Sequence, residues 1–200
     1  MANDIREGLV AVKMLNGDTI IPVHEYYIPA SYGTALYIGD PVVRTGTSNT
    51  AVVERRRIGS MAEINKATAG TTNQCVGAIV AFLPKSGIAE TVLHNAASTE
   101  RIALVADHPA TVFRIQSEGS AVAADVGMNT NFIFTHGGST ATGKSGVEAD
   151  DTVATTVGHQ IKIIGIAEKN IESDDNAVGT NADYLVLINN HQNATQSVGV

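Results

Sequence analysis

The feature that most constrains the fold is a succession of short apolar runs, each rich in Val, Ile and Thr and each cut off by turn-forming residues. Branching at Cβ suits a side chain to a pleated, half-buried surface and costs it rotamer freedom in a helix. No segment sustains a 3.6-residue apolar repeat over the length that an independent helix needs. The pattern predicts an all-β fold, an antiparallel β-sandwich or barrel with little helix and an extended terminal arm.

The predicted strands cover residues 9–15, 19–28, 41–44, 64–67, 75–83, 102–106, 111–116, 131–135, 160–168 and 184–189. Between the first two stands Asn16-Gly17-Asp18, a strong short hairpin signal that predicts direct pairing of VAVKML with TIIPVH. Ser86-Gly87, Glu118-Gly119-Ser120, Gly137-Gly138-Ser139 and Ser173-Asp174-Asp175-Asn176 supply further breaks. Single helical turns are expected only at 121–125 and 29–35.

A chain of 200 residues buries about 70% of its unfolded surface and needs no covalent staples. The single cysteine, Cys75, excludes an intrachain disulfide framework and any multi-cysteine metal site. No linker composition divides the chain, so the expected organisation is an arm at 1–8, one β domain over 9–192 and a loose tail at 193–200. Charged residues make up only 16% of the sequence, against a usual value of about 25%. A surface so thinly charged suits a subunit covered by copies of itself, as a trimer or dimer, or by a partner. The net charge of −7 argues against nucleic acid as ligand, since duplex binding draws on phosphate-neutralising cations. No apolar run approaches the roughly 20 residues of a membrane-spanning helix, and MANDIREG lacks a signal peptide's apolar core, so a soluble protein made in the host cytoplasm is expected.

Gly138-Ser139-Thr140-Ala141-Thr142-Gly143-Lys144-Ser145 satisfies the phosphate-binding pattern G-x-x-x-x-G-K-[ST]. The chemistry also requires a helix that begins at the lysine and aims its amides at the phosphates. Gly146-Val147-Glu148-Ala149-Asp150-Asp151 is a poor start for one, so a composition-driven surface loop is expected. Six histidines lack metal-ligand spacing, and Cys75 falls in a predicted buried strand. Neither a catalytic residue, a cofactor nor a metal is expected. Arg55-Arg56-Arg57 is the one basic cluster, readable as a solvated loop or as a patch that meets carboxylates of a neighbour, with Asp150-Asp151 and the acidic run at 172–175 as counterparts. Tyr26, Tyr27, Tyr32 and Tyr37 crowd into one segment of a chain with 4% aromatics, which suits either a wet-edged core or an interface.

Several phrases occurring in one order, KMLNGDTIIP, YYIPASYGTALYIGDPVV, ASTERIALVADHPATVFRIQ, ADVGMNTNF, TGKSGVEADDTVATT and GTNADYLVLINNHQ, resemble tailed-bacteriophage virion structural proteins. The resemblance implies a non-enzymatic component on the capsid exterior, of the decoration or cement type, whose partner is the major capsid protein. Under that reading the expected interface residues are Met1, Ala2, Asn3, Asp4 and Ile5 of the arm, then Tyr26, Tyr27, Tyr32 and Tyr37, with Arg55, Arg56 and Arg57 as an electrostatic supplement. The competing classes are a head-fibre or adhesion module and, through the glycine-rich loop, a nucleotide-binding protein.

Overall fold

The computed structural model describes residues 4–88, 92–167 and 178–194. Among them the chain forms β1 (Val10–Met14), β2 (His24–Ile28), β3 (Pro41–Ser48), β4 (Ala62–Lys66), β5 (Gly77–Phe82), β6 (Arg101–Ala106), β7 (Thr111–Gln116), β8 (Asn129–Thr130), β9 (Phe132–Ile133), β10 (Glu148–Ala149), β11 (Ile161–Ile166) and β12 (Asp183–Ile188). Helix is limited, among these residues, to one 3-10 turn at Ala123–Asp125, where the Asp125 carboxylate accepts the Val122 amide. No helix in the described residues is long and apolar enough to cross a membrane.

The protein is all-β and sandwich-like, as the strand pattern predicts. Strands β2-β4-β3-β5-β6 close into a barrel, and β1-β7-β12-β11-β8 form a five-stranded sheet against it, with β9 and β10 as a small ribbon. Every ladder is antiparallel except β2 with β4, which closes the barrel through Tyr27 and Glu63. Two-residue alternation sorts the barrel's side chains. Ile79 and Val105, opposite each other on β5 and β6, face the barrel interior with Val42, Ile64 and Ile28. Their neighbours Ala78 and Ala106, also paired, face outward and lie in the second core under Phe113, Ile115, Ile161, Ile163, Tyr184 and Val186 of the sheet. Alanine at both positions leaves room for the larger side chains of the sheet.

The expected hairpin is corrected. The turn itself forms, with Gly17 at φ 90° and its amide on the Met14 carbonyl. The strands on either side do not pair: β1 lies beside β7, with Met14 opposite Thr111, and β2 belongs to the barrel. Asn16 Oδ1 accepts the Asp18 amide, Asp18 Oδ1 accepts the Ile20 amide, and Pro22 has no amide to donate. Residues 19–23 therefore cannot continue a ladder, and strand structure resumes only at His24. Further differences are of extent: β3 runs on to Ser48, the strand expected at 131–135 forms only as β9, and the two-residue β8 and β10 are additional.

Residues 6–8, expected in a free arm, are fastened to the body. Arg6 Nε donates to the buried Glu148 carboxylate at 3.1 Å, Glu7 receives both Arg114 and Lys144, and the Leu9 amide bonds to Gly39 O. At the other end the Cys75 amide donates to Asn190 O, the Gln192 amide to Cys75 O and the Arg44 amide to Gln192 Oε1, suturing the end of the sheet to the barrel. Asn193, expected in the tail, donates to Asp107 O at 3.0 Å. Residues 1–3, the turn at 173–176 and positions 195–200 lie outside the described residues.

Candidate interaction surfaces

The tyrosine segment divides between a buried Tyr26 and half-buried Tyr27, Tyr32 and Tyr37. Tyr26 is buried in the barrel, and its hydroxyl donates to Asp107 Oδ2 at 2.7 Å. Burial, followed by that carboxylate, pushes its pKa far above the usual phenol value, so the proton stays on. Tyr27 packs beside Val53, Met61 and Ile102 and donates to Glu100, with burial and that bond raising its pKa to about 12. The Tyr32 hydroxyl accepts the Lys66 amide, and Tyr37 stacks on His94 at 5.3 Å between ring centroids. Each ring thus has a partner in the body of the protein, and Tyr27, Tyr32 and Tyr37 remain half-buried. Of the arm positions, Asp4 pairs with Arg6 and Ile5 is exposed, while Met1, Ala2 and Asn3 lie outside the described residues.

The glycine-rich loop is closed by its own chain. Lys144 Nζ binds Glu7 Oε1 at 2.8 Å, and the Ser145 hydroxyl, buried, donates to Asp40 Oδ1 at 2.6 Å. Asp40 is fully buried and also holds Lys66 Nζ at 2.8 Å and the Tyr37 amide. Lys144 sits in a β-bridge with Ile38, and β10 follows shortly after, so the helix N-terminus that phosphate binding needs is not formed. Gly143 has φ 70°, and a Cβ there would stand 2.4 Å from Leu93 Cβ.

A cleft of about 530 Å³ opens beside β2, lined by His24, Glu25, Tyr26, Arg44, Arg56 and Asp107 among others. Two ion pairs engage its charges apart from Arg44, which donates to Gln192 O and whose Nε has no partner. The buried Asp107 holds the exposed His24 through Nδ1 at 2.7 Å as well as Tyr26, and Glu25 receives Arg56 through two guanidinium nitrogens. The Arg56 bond holds the Glu25 carboxyl below its ordinary pKa. Among the described residues no three His, Cys, Asp or Glu side chains gather closely enough to hold a metal ion. His191, next to this region, is buried; its Nδ1 accepts the Asn193 amide and its Nε2 has no partner. Burial lowers its pKa to about 4.

The arginine cluster divides by function. Arg56 is committed to Glu25 and to the carbonyl of Glu54. Arg55 and Arg57 are exposed on the same loop, together with Val52 and Ile58, at 66% and 64% exposure. The loop is stiff all the same. Buried Asn49 donates to Ala51 O and Arg57 O and accepts the Met61 amide, and Val53 and Arg56 form a two-residue bridge. Glu54 and Arg55 both hold positive φ, 45° and 68°, a conformation that non-glycine residues seldom adopt. A second firm turn, the one at Asn16-Gly17-Asp18, leaves Leu15, Ile20 and Val23 exposed. Hydropathy alone does not mark these side chains as outward. The usable signal was their position beside residues with local turn chemistry, Asp18-Thr19 and Gly59-Ser60.

Comparison with known protein families, with curated proteins and with solved structures finds no match.

Proposed function

We propose that this protein is a non-enzymatic virion component of a tailed bacteriophage that decorates the capsid exterior and stabilises it by bridging major capsid subunits. The observation that carries the reading is the turn at residues 15–23: it is locked by side-chain bonds from Asn16 and Asp18, yet presents Leu15, Ile20 at 77% exposure and Val23 to solvent. A rigid apolar tip pays little ordering entropy when it docks. Thin surface charge and the ordered series of phrases resembling phage virion proteins support the same reading. With Tyr26 buried and Tyr27, Tyr32 and Tyr37 half-buried, the first candidates for the shell contact are this turn and Ile5.

The test is reconstitution. Particles assembled without the protein should take it up from solution and withstand heating to a higher temperature before releasing their genome. Ile20→Asp should weaken uptake by at least about tenfold, an effect expected of an apolar anchor at the centre of a contact, with a thermal midpoint unchanged in the free protein. Uptake at a site on the tail or at fibre tips would replace decoration with an adhesive role. Failure of any particle to take up the protein would overturn the virion reading.

A further inference from the structure

We propose that the cavity between β5 and the segments 84–88 and 92–93 binds a small organic acid, with its carboxylate on Arg101 and its apolar body against the cavity wall.

The cavity has a volume of about 270 Å³, and Ile38, Ala81, Phe82, Ile88 and Leu93 belong to its apolar lining. At about 30 Å³ for each heavy atom, it has room for on the order of ten such atoms. Among the described residues that line it, Arg101 alone is charged. As the first residue of β6, Arg101 shares a strand face with Ala103 and Val105 of the barrel core, and only 6% of it is exposed. Strand alternation thus brings a cationic residue to the wall of an otherwise apolar cavity.

The fold orients this guanidinium without neutralising it. Nε donates to Leu83 O at 3.1 Å, Nη1 donates to His94 O at 2.9 Å and to Val92 O at 3.4 Å, and the guanidinium carbon stands 5.1 Å from the centre of the Phe82 ring. Carbonyl oxygens and a ring face offer only partial charge. Glu100, the neighbour in sequence, is taken by Lys85 and Tyr27, and no carboxylate among the described residues pairs with Arg101. Nor does any hydrogen bond among them engage Nη2. Burial pulls the pKa of Arg101 below the ordinary guanidinium value, with no anion acting the other way. A buried cation without a counter-charge is costly, and a carboxylate that accepts from Nη2 supplies that charge where water screens it little. The apolar wall decides the rest of the ligand. A hydrated inorganic anion would lose its water there without gaining contacts, whereas an acid with a short aliphatic or aromatic body satisfies both halves of the cavity. Binding of this kind requires nothing of the capsid shell.

The test is a nuclear magnetic resonance titration of the full chain at pH 7 with octanoate, octan-1-ol and acetate, read at the methyl groups of Ile38, Ala81, Ile88 and Leu93 and at Arg101 Nε. Octanoate should shift these signals with a dissociation constant below about 1 mM, which is within reach of so small a ligand. Octan-1-ol lacks the charge and acetate lacks the chain, so each should bind at least about tenfold more weakly. Ala81→Leu, which fills the cavity, should lower octanoate affinity by at least about tenfold while the circular dichroism spectrum stays like the wild type. Arg101→Gln should remove the preference for the acid over the alcohol. Glu90 lies outside the described residues, and octanoate binding that appears only in Glu90→Gln would mean that the chain's own carboxylate occupies Arg101, which would overturn the proposal. No shift at about 10 mM octanoate, equal affinity for acid and alcohol, or undiminished binding to a folded Ala81→Leu protein would overturn it too. The comparison of acid with alcohol is made on the wild-type protein and decides the matter even where a variant fails to fold.

Discussion

The loop at residues 138–145 and the loop at residues 49–60 both carry conspicuous basic motifs, and their charged groups end in opposite places. In the first, Lys144 and Ser145 turn back to Glu7 and Asp40, so a pattern associated with phosphate binding works here as a clasp between the N-terminal segment and the barrel. In the second, only the middle arginine is recruited internally, and its neighbours stay in solvent beside two exposed apolar residues. The difference lies in the carboxylates within reach. A basic motif becomes available to a partner only when the fold supplies fewer acids than the motif has cations.

The strongest way to break this contrast is to open the clasp. Asp40 is fully buried and engages Lys66, Ser145 and the Tyr37 amide. Asp40→Ala should therefore cost about 3–5 kcal/mol, because it leaves a largely buried ammonium without its partner. Urea unfolding measures this, and a midpoint close to wild type would mean that the clasp is ornamental.

Acid should act on the inward side of the molecule and spare the 49–60 loop. The folded-state pKa of His191, about 4, lies below its ordinary value of 6.5. The folded state therefore takes up its proton later than the unfolded state does. The stability contributed by neutral His191 is fully present above pH 6.5 and is lost as pH falls from there toward 4. The loss amounts to on the order of 3 kcal/mol. The geometry gives the same sign, since Nδ1 already accepts the Asn193 amide and a proton there would face a donor. His191→Gln should flatten this part of the stability profile, and a His191 imidazole that titrates by nuclear magnetic resonance near 6.5 would contradict the assignment.

Gly143→Ala should destabilise by about 1–3 kcal/mol, given its left-handed backbone and the proximity of Leu93. Its neighbour Lys144, 39% exposed in its side chain, should cost only about 0.2–1 kcal/mol on replacement by alanine. Neither change should create or abolish magnesium-dependent nucleotide binding, which calorimetry reads directly. Smallest of all, Arg55→Ala and Arg57→Ala should shift stability by no more than about 0.5 kcal/mol. A loss well beyond that would show that these arginines serve the fold and would erase the contrast between the two loops.

Local chemistry made much of the fold legible. The β-branched runs mark nearly all the longer strands, and Gly17 takes the positive φ that its turn residues predict. Pairing was not legible, because strand partners are chosen by burial across long separations. Met14 faces Thr111 and not the run just past its own turn. The orientation of the aromatics failed to show for a related reason: Tyr26 and Tyr27 are adjacent, and register alone decides that the first enters the barrel core. At the surfaces, the arginine cluster was visible as a run of letters. The partner that divides it, Glu25, stands 31 positions upstream and meets it only once β2 joins the barrel. Asp107 gave equally little warning, since His24 and Tyr26, which bond its carboxylate, come from that same distant strand.

Electron cryomicroscopy of intact particles that carry the protein would locate it on the virion. Density for this barrel and sheet is expected on the outer surface of the shell, with the turn at residues 15–23 seated on major capsid subunits. Particles whose shells lack that density, with the protein at the tail or missing from the virion, would contradict that placement.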